Sequence, residues 1–158
     1  MPNIRLLLSH PANFFALGFG SGLAKKAPGT FGTLVGLPLF WLISSYPMAI
    51  QISIISVLFA IGIYFCTFTG KAIGVVDHGS IVWDEIVGFS VTMLAAPPNW
   101  YWLVTGFVLF RLFDIWKPWP IREADHRLQG GFGIMLDDVI AGAFAAALLL
   151  VLIYVVKT

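Results

Sequence analysis

The feature that most constrains this chain is a pair of long apolar runs without charge. Residues 52–70 contain no charged side chain, and neither do the 17 residues from Ile140 to Val156. The second run would measure roughly 26 Å as an α-helix, close to the thickness of the hydrocarbon core of a bilayer. Because a backbone in lipid must satisfy its own hydrogen bonds, such runs form helices rather than open strands. With only 11% charged residues in the chain, they predict an integral membrane protein.

The other apolar segments extend this prediction to an all-α, polytopic transmembrane bundle with about five spans. We expect the spans at residues 31–46, 52–70, 80–96, 100–116 and 138–156, within a single membrane-embedded domain over residues 1–158. The Pro97-Pro98 pair ends the third span because proline breaks a helix. The apolar stretch 4–19 is interrupted at His10-Pro11, so we expect it to lie in the interface or to cover the protein.

The charged side chains gather on one side of this topology. If the spans alternate, residues 1–30, 71–80 and 117–137 share one side of the membrane. That side holds Arg5, Lys25, Lys26, Lys71, Lys117, Arg122 and Arg127. The positive-inside rule therefore places it in the cytoplasm. All eight acidic residues lie on or near the same side, so we expect the chemistry there.

Five carboxylates come from three predicted helix ends on this side. They are Asp84, Glu85, Asp114, Asp137 and Asp138. Hard divalent cations prefer oxygen ligands, so the set predicts a Mg²⁺ site. The single cysteine, Cys66, excludes a zinc site built from cysteines. For the Asp137–Asp138 pair alone, the alternative is placement at the start of a helix, where the helix dipole stabilises acids.

Groups that bind anions surround these acids. The predicted phosphate-binding residues are Lys25, Thr30, Thr33, Arg111, Lys117 and Arg122. Thr30 and Thr33 belong to a loop rich in glycine that leads into a helix, where backbone N–H groups can hold a phosphate. Simple helix capping is the alternative for this loop. The basic residues have alternatives too, namely attraction to anionic headgroups and, for Arg111, a structural ion pair with Asp114.

A metal ion beside phosphate-binding cations suits phosphoryl transfer. Since the site lies at the depth of the bilayer surface, the expected substrate is a lipid with a phosphate headgroup, and no nucleic-acid partner is expected. Residues 130–133 are rich in glycine and would let the 117–137 connection bend. His78 and His126 are either acids for the leaving alkoxide or plain surface histidines.

Three other classes of function are alternatives to phosphoryl transfer. A cation- or proton-coupled transporter could use Asp84, Glu85 and Asp114 as a relay, but the spans beyond them are apolar. A CDP-alcohol phosphotransferase would carry a D-G-x₂-A-R…G-x₃-D-x₃-D motif, which the chain lacks. A scaffold role would leave the acidic clusters without a purpose.

Four segments of the chain together resemble a known family. They are GFGSGLAKKAPGTFGTL at 18–34, WDEIVGF at 83–89, FRLFDIWKPWPI at 110–121 and GGFGIMLDDVIAG at 130–142. In this order they resemble the phosphatidylglycerophosphatase A family of lipid phosphatases in the bacterial inner membrane. The chain lacks the Cys-x₅-Arg, DxDx[TV] and type 2 phosphatidate phosphatase motifs of other phosphatases.

The resemblance implies Mg²⁺-dependent hydrolysis of phosphatidylglycerophosphate to phosphatidylglycerol and inorganic phosphate, at a site facing the cytoplasm. We hypothesise that Asp84, Glu85, Asp114 and Asp138 are catalytic, and that they bind metal together with Asp137. The attacking group, either water or an aspartate, is left open, as are the number of metal ions and the oligomeric state.

Overall fold

The computed structural model describes residues 2–94, 96–119, 121, 123, 128 and 130–157. Within these ranges every regular element is helical, which confirms the all-α prediction. The elements are α1 (Ile4–Ser9), α2 (Pro11–Ala16), a 3₁₀ segment (Gly18–Leu23), α3 (Pro28–Ile43), α4 (Met48–Ile73), α5 (Trp83–Met93), α6 (Trp100–Trp116) and α7 (Gly130–Lys157).

Helix α5 lies at the centre of the bundle and packs against α3, α4, α6 and α7. Nine of its eleven residues are buried. At 1.5 Å per residue it is about 16 Å long, well short of the hydrocarbon core of a bilayer. Its neighbours therefore enclose it, and its first turn carries two acids, Asp84 and Glu85, into the interior of the protein.

The crossing of α5 and α7 depends on two glycines that let the backbones approach closely. A Cβ atom at Gly88 of α5 would lie 2.6 Å from the carbonyl oxygen of Asp138 in α7, and one at Gly142 would collide with the Gly88 carbonyl. The Thr92 hydroxyl donates to the carbonyls of Gly88 (3.1 Å) and Gly142 (3.3 Å). This contact holds Asp138 beside the first turn of α5.

In the part of the chain that the structure describes, two helices are long and apolar enough to cross a membrane, α4 and residues 130–156 of α7. Only 22% of the apolar window of α4 and 28% of that of α7 is buried inside the protein. A core helix of a soluble protein would be mostly buried, and an apolar outer surface of this extent would be unfavourable in water. The fold is therefore that of a membrane-associated protein.

The other predicted spans correspond to shorter helices. Helices α3, α5 and α6 contain 16, 11 and 17 residues, so the five-span topology stays a prediction. The helix expected over 100–116 has those bounds, whereas α4 is longer than the expected 52–70. The helix expected over 31–46 lies at 28–43, and the one expected over 80–96 covers only 83–93.

The largest difference concerns the last helix, which begins eight residues before the predicted start at 138. Residues 130–133, expected to form a flexible connection, are helical. Their glycines serve close packing instead, since a Cβ at Gly131 would collide with the Ile63 carbonyl of α4. The Gly131 N–H also donates to the Thr67 hydroxyl, at 3.2 Å. The interpretation of Asp137 and Asp138 as acids at a helix start is therefore wrong, because they lie two turns inside α7.

The N-terminal segment covers the C-terminal half of α4. The His10 ring stacks on Phe68 with centroids 4.2 Å apart, and the Phe15 ring stacks on Phe65 at 5.1 Å. The Thr69 hydroxyl lies 2.9 Å from the side-chain oxygen of Asn13. Helices α1 and α2 have six residues each and are too short to cross a bilayer, in agreement with a covering segment.

Candidate active site

Three carboxylates from two helices meet at the crossing of α5 and α7. Asp84 and Glu85 come from the first turn of α5 and Asp138 from α7, and one oxygen of each lies within 4.8 Å of the others. Asp84 is 9% exposed and Asp138 only 3%. One buried oxygen of each of these three residues has no hydrogen-bond partner.

A compensating positive charge stabilises such a group of acids. Carboxylates at this separation repel one another strongly where water is scarce, and buried acceptors without partners cost free energy. A divalent cation among the three oxygens removes both penalties. The donors are hard oxygen atoms of the kind that Mg²⁺ prefers, so these residues fit a magnesium ion.

Arg111 connects the acids of α5 and α6. Its guanidinium forms an ion pair with Asp114, one turn further along α6, and lies 3.8 Å from Glu85. Its Nε atom is buried and makes no hydrogen bond in the structure. The expected structural pair with Asp114 is therefore present, but Arg111 also lies beside the carboxylate cluster through Glu85.

Lys117 ends α6 on the other side of the cluster. Its ammonium donates to Asp137 at 2.6 Å, so Asp137 contacts a cation directly and lies outside the three-carboxylate group. The Lys117 backbone has a φ of 43°, a left-handed conformation that is uncommon for lysine. Strained backbone of this type is often found at functional sites, where it sets the direction of a side chain.

A small cavity of about 120 Å³ opens onto these groups. Asp84, Glu85, Asp114, Lys117, Asp137 and Asp138 all line it. Asp77, Gly79, Ile81 and Ile134 complete the lining. We had not predicted Asp77 as a site residue, although its place on the charged side of the predicted topology was a usable signal.

The N-terminus of α3 closes one side of the cluster. A Cβ at Gly29 would collide with the Glu85 carboxylate and lie 3.0 Å from Arg111 Nη1. Thr33 is fully buried, and its hydroxyl donates to the Gly29 carbonyl at 2.9 Å. Thr33 as a phosphate ligand stays a prediction, and in this structure its buried hydroxyl contacts the backbone of its own helix. Thr30, half-buried one residue after Gly29, is still a candidate.

Lys25 lies apart from the carboxylate cavity and lines a neighbouring cleft. Its position differs from that of Arg111 and Lys117, which contact the acids directly. The other predicted phosphate-binding residue, Arg122, lies outside the described residues, as do His126 and Arg127. The structure thus brings together all five predicted metal-binding acids and two of the predicted phosphate-binding cations.

Comparison with known proteins agrees with the motifs. The sequence profile of the family described as Phosphatidylglycerophosphatase A matches residues 14–153. Phosphatidylglycerophosphatase A of Escherichia coli K12 is 47% identical over 146 residues, 92% of this chain and 85% of the relative. The protein of that name from Haemophilus influenzae Rd is 44% identical over 155 residues, 97% of this chain and 95% of the relative.

A more distant relative carries a different name. A protein of Bacteroides thetaiotaomicron, named as a candidate phosphatidylinositol-3-phosphatase, is 37% identical over 147 residues, 88% of this chain and 91% of the relative. No solved structure matches the chain. The profile match over most of the sequence, with two relatives above 40% identity, establishes that this chain belongs to the phosphatidylglycerophosphatase A family.

Proposed function

We propose that this protein hydrolyses phosphatidylglycerophosphate to phosphatidylglycerol and inorganic phosphate, with Mg²⁺, at the cytoplasmic face of the membrane. Its family makes it a phosphatase that acts on phosphate monoesters. The observation that carries the mechanism is the group of three buried carboxylate oxygens beside Arg111 and Lys117. Acids and cations in one small cavity suit a metal-assisted attack on phosphate.

The names of the relatives define the class of substrate. Phosphatidylglycerophosphate carries a terminal phosphate monoester on a glycerol, which a phosphodiester joins to the lipid. The lipid in the name of the Bacteroides relative has the same order, a monoester on a polyol that a phosphodiester joins to diacylglycerol. We infer that this chain acts on the first of these lipids, since the two relatives with the higher identity carry that name.

Asp84, Glu85 and Asp138 would hold the metal, because one oxygen of each lies within 4.8 Å of the others. When bound, Mg²⁺ supplies polarisation of a phosphoryl oxygen and activation of water as a nucleophile. Asp114 and Asp137 line the same cavity but lie outside this group of three, and they form ion pairs with Arg111 and Lys117. We therefore assign them to orienting Arg111 and Lys117 and place them next to the metal ligands.

The cations of the chain stabilise the reacting phosphate. Arg111 lies beside the cluster, 3.8 Å from Glu85, and Lys117 lines the cavity, so both bring positive charge to the bound phosphate. In the proposed reaction the oxygen of water bonds to phosphorus as the bond from phosphorus to the glycerol oxygen breaks. A carboxylate of the cluster accepts a proton of the attacking water and returns it to the leaving glycerol oxygen.

The membrane topology completes the proposal. The exposed apolar surfaces of α4 and α7 support insertion as spanning helices, and we propose that the remaining predicted spans form a single domain with them. The basic residues predicted on one side favour a site that faces the cytoplasm. The transporter alternative is not favoured, because the relatives are named as phosphatases and five acids gather in one cavity.

The direct test is release of inorganic phosphate from phosphatidylglycerophosphate by purified protein in detergent, with Mg²⁺ and then with excess chelator. We expect release that depends on the metal, and a loss of at least about 100-fold in the Asp138→Asn protein. Glu123→Gln, which removes an equal charge from an exposed position, is the matched control and should keep wild-type activity. Metal-independent release, or an active Asp138→Asn protein, would contradict the assignment.

A further inference from the structure

A second, larger cleft lies next to the carboxylate cavity. Its volume is about 620 Å³, and its lining includes Lys25, Pro28, His78 and Ser80. Gly79 lines both spaces, so the cleft and the cavity meet at this residue. A Cβ at Gly79 would have no atom within 4 Å, which shows that the backbone there borders open space.

The segment 77–81 forms the wall between the two spaces. Asp77 and Ile81 line the carboxylate cavity, whereas His78 and Ser80 line the cleft. The backbone N–H of Ser80 donates to His78 Nδ1 at 3.1 Å, which holds the imidazole in place. A histidine whose Nδ1 accepts a hydrogen bond carries its proton on Nε2, so its other nitrogen is a donor.

The sizes of the two spaces limit what each can hold. The carboxylate cavity, at about 120 Å³, is much the smaller of the two spaces and is lined by the acids and Lys117. It suits an ion and the terminal phosphate, and the adjoining cleft suits the rest of the headgroup. The adjoining cleft has the required room and presents the positive charge of Lys25 and the donor of His78.

We propose that this cleft binds the phosphodiester of the substrate headgroup, with Lys25 and His78 as donors, while the carboxylate cavity holds the terminal monoester. The inference rests on the proposed function, because that substrate carries two phosphates separated by one glycerol. It also assigns Lys25 a different phosphate from the one contacted by Arg111 and Lys117. A lipid whose single phosphate is attached directly to diacylglycerol lacks the group that this cleft recognises.

Two constants separate this assignment from a contact with the terminal phosphate. The KM for phosphatidylglycerophosphate depends on binding of the whole headgroup. The inhibition constant for inorganic phosphate depends on binding in the carboxylate cavity alone. In the Lys25→Ala protein we expect KM to rise about tenfold with little change in kcat, the effect of losing a charged contact remote from the reacting atoms. The inhibition constant for inorganic phosphate should stay within about twofold of wild type.

The neighbouring lysine provides a matched control. Lys26 is also exposed, but it is not among the described residues that line the cleft. Lys26→Ala removes the same charge from the same surface and should leave both constants unchanged, and Lys25→Arg should restore most of the affinity. A parallel rise of both constants in Lys25→Ala, or equal effects of Lys25→Ala and Lys26→Ala, would overturn the proposal. Wild-type protein that releases no phosphate at all would instead remove the proposed function, and this inference with it.

Discussion

The close crossing of α5 and α7 leads to a quantitative prediction for Gly88→Ala. The added Cβ would lie 2.6 Å from the Asp138 carbonyl oxygen and 2.7 Å from the Phe110 ring. Ordinary contact begins at 3.4 Å, so the two helices must separate by about 0.8 Å. Overpacking of this kind costs about 1–3 kcal/mol of stability.

The same displacement moves Asp138 away from Asp84 and Glu85. A misplacement of about 1 Å in an active site can lower the rate on the order of 100-fold. We therefore expect Gly88→Ala to retain its fold but lose one to two orders of magnitude in kcat/KM, although residue 88 carries no catalytic group. Phosphate release in detergent measures the loss of kcat/KM, and thermal unfolding monitored by circular dichroism measures the loss of stability.

Ser90→Ala is the control on the same helix. Ser90 is also buried, and its hydroxyl donates to the Ile86 carbonyl at 2.8 Å, so alanine removes an atom without adding volume at the crossing. We expect a stability loss of about 1 kcal/mol and an activity close to wild type. A Gly88→Ala protein that unfolds cooperatively and has wild-type kcat/KM would refute the argument that this contact positions the acids.

Three further predictions concern side chains at and around the site. Arg111→Lys keeps the charge but loses the planar guanidinium that reaches both Asp114 and Glu85, so kcat/KM for phosphatidylglycerophosphate should fall about 10-fold or more while detergent solubility is retained. Lys117→Ala removes the ammonium that donates to the buried Asp137 carboxylate and the positive charge that we assign to phosphate binding. The inhibition constant for inorganic phosphate should therefore rise about 10-fold. An unchanged constant would place Lys117 away from the phosphate. Thr69→Val removes the contact with Asn13 and should expose the N-terminal segment to limited proteolysis. We expect a stability loss of about 1 kcal/mol and little effect on kcat. Unchanged proteolysis would show that this contact does not hold the segment.

The order of apolar and charged segments was enough to predict the class of fold. Charge-free runs force a helical backbone wherever lipid surrounds the chain, and the helix over 100–116 has the predicted bounds. Helix ends were less predictable, because glycine has two uses. The glycines among residues 130–133 predicted a flexible connection, but these residues are helical and pack against α4.

The residue types of the site could be predicted from the sequence, but not which of its acids lie close together. The sequence predicted five acids on one side of the membrane, and the structure brings all five to one cavity. Distances in space were needed to separate the close group of Asp84, Glu85 and Asp138 from Asp114 and Asp137. The complete burial of the Thr33 side chain also depends on the helices packed around it.

The sequence by itself determined the membrane character, the all-helical class and the set of residues able to hold a metal and a phosphate. These properties follow from composition and from local periodicity, which involve only neighbours along the chain. The tertiary structure alone decided which acids lie close enough to share an ion, that Lys25 lines a second cleft, and how closely α5 and α7 approach. Such features depend on contacts between residues that are distant in the chain, where the absence of a single Cβ sets the distance between two helices.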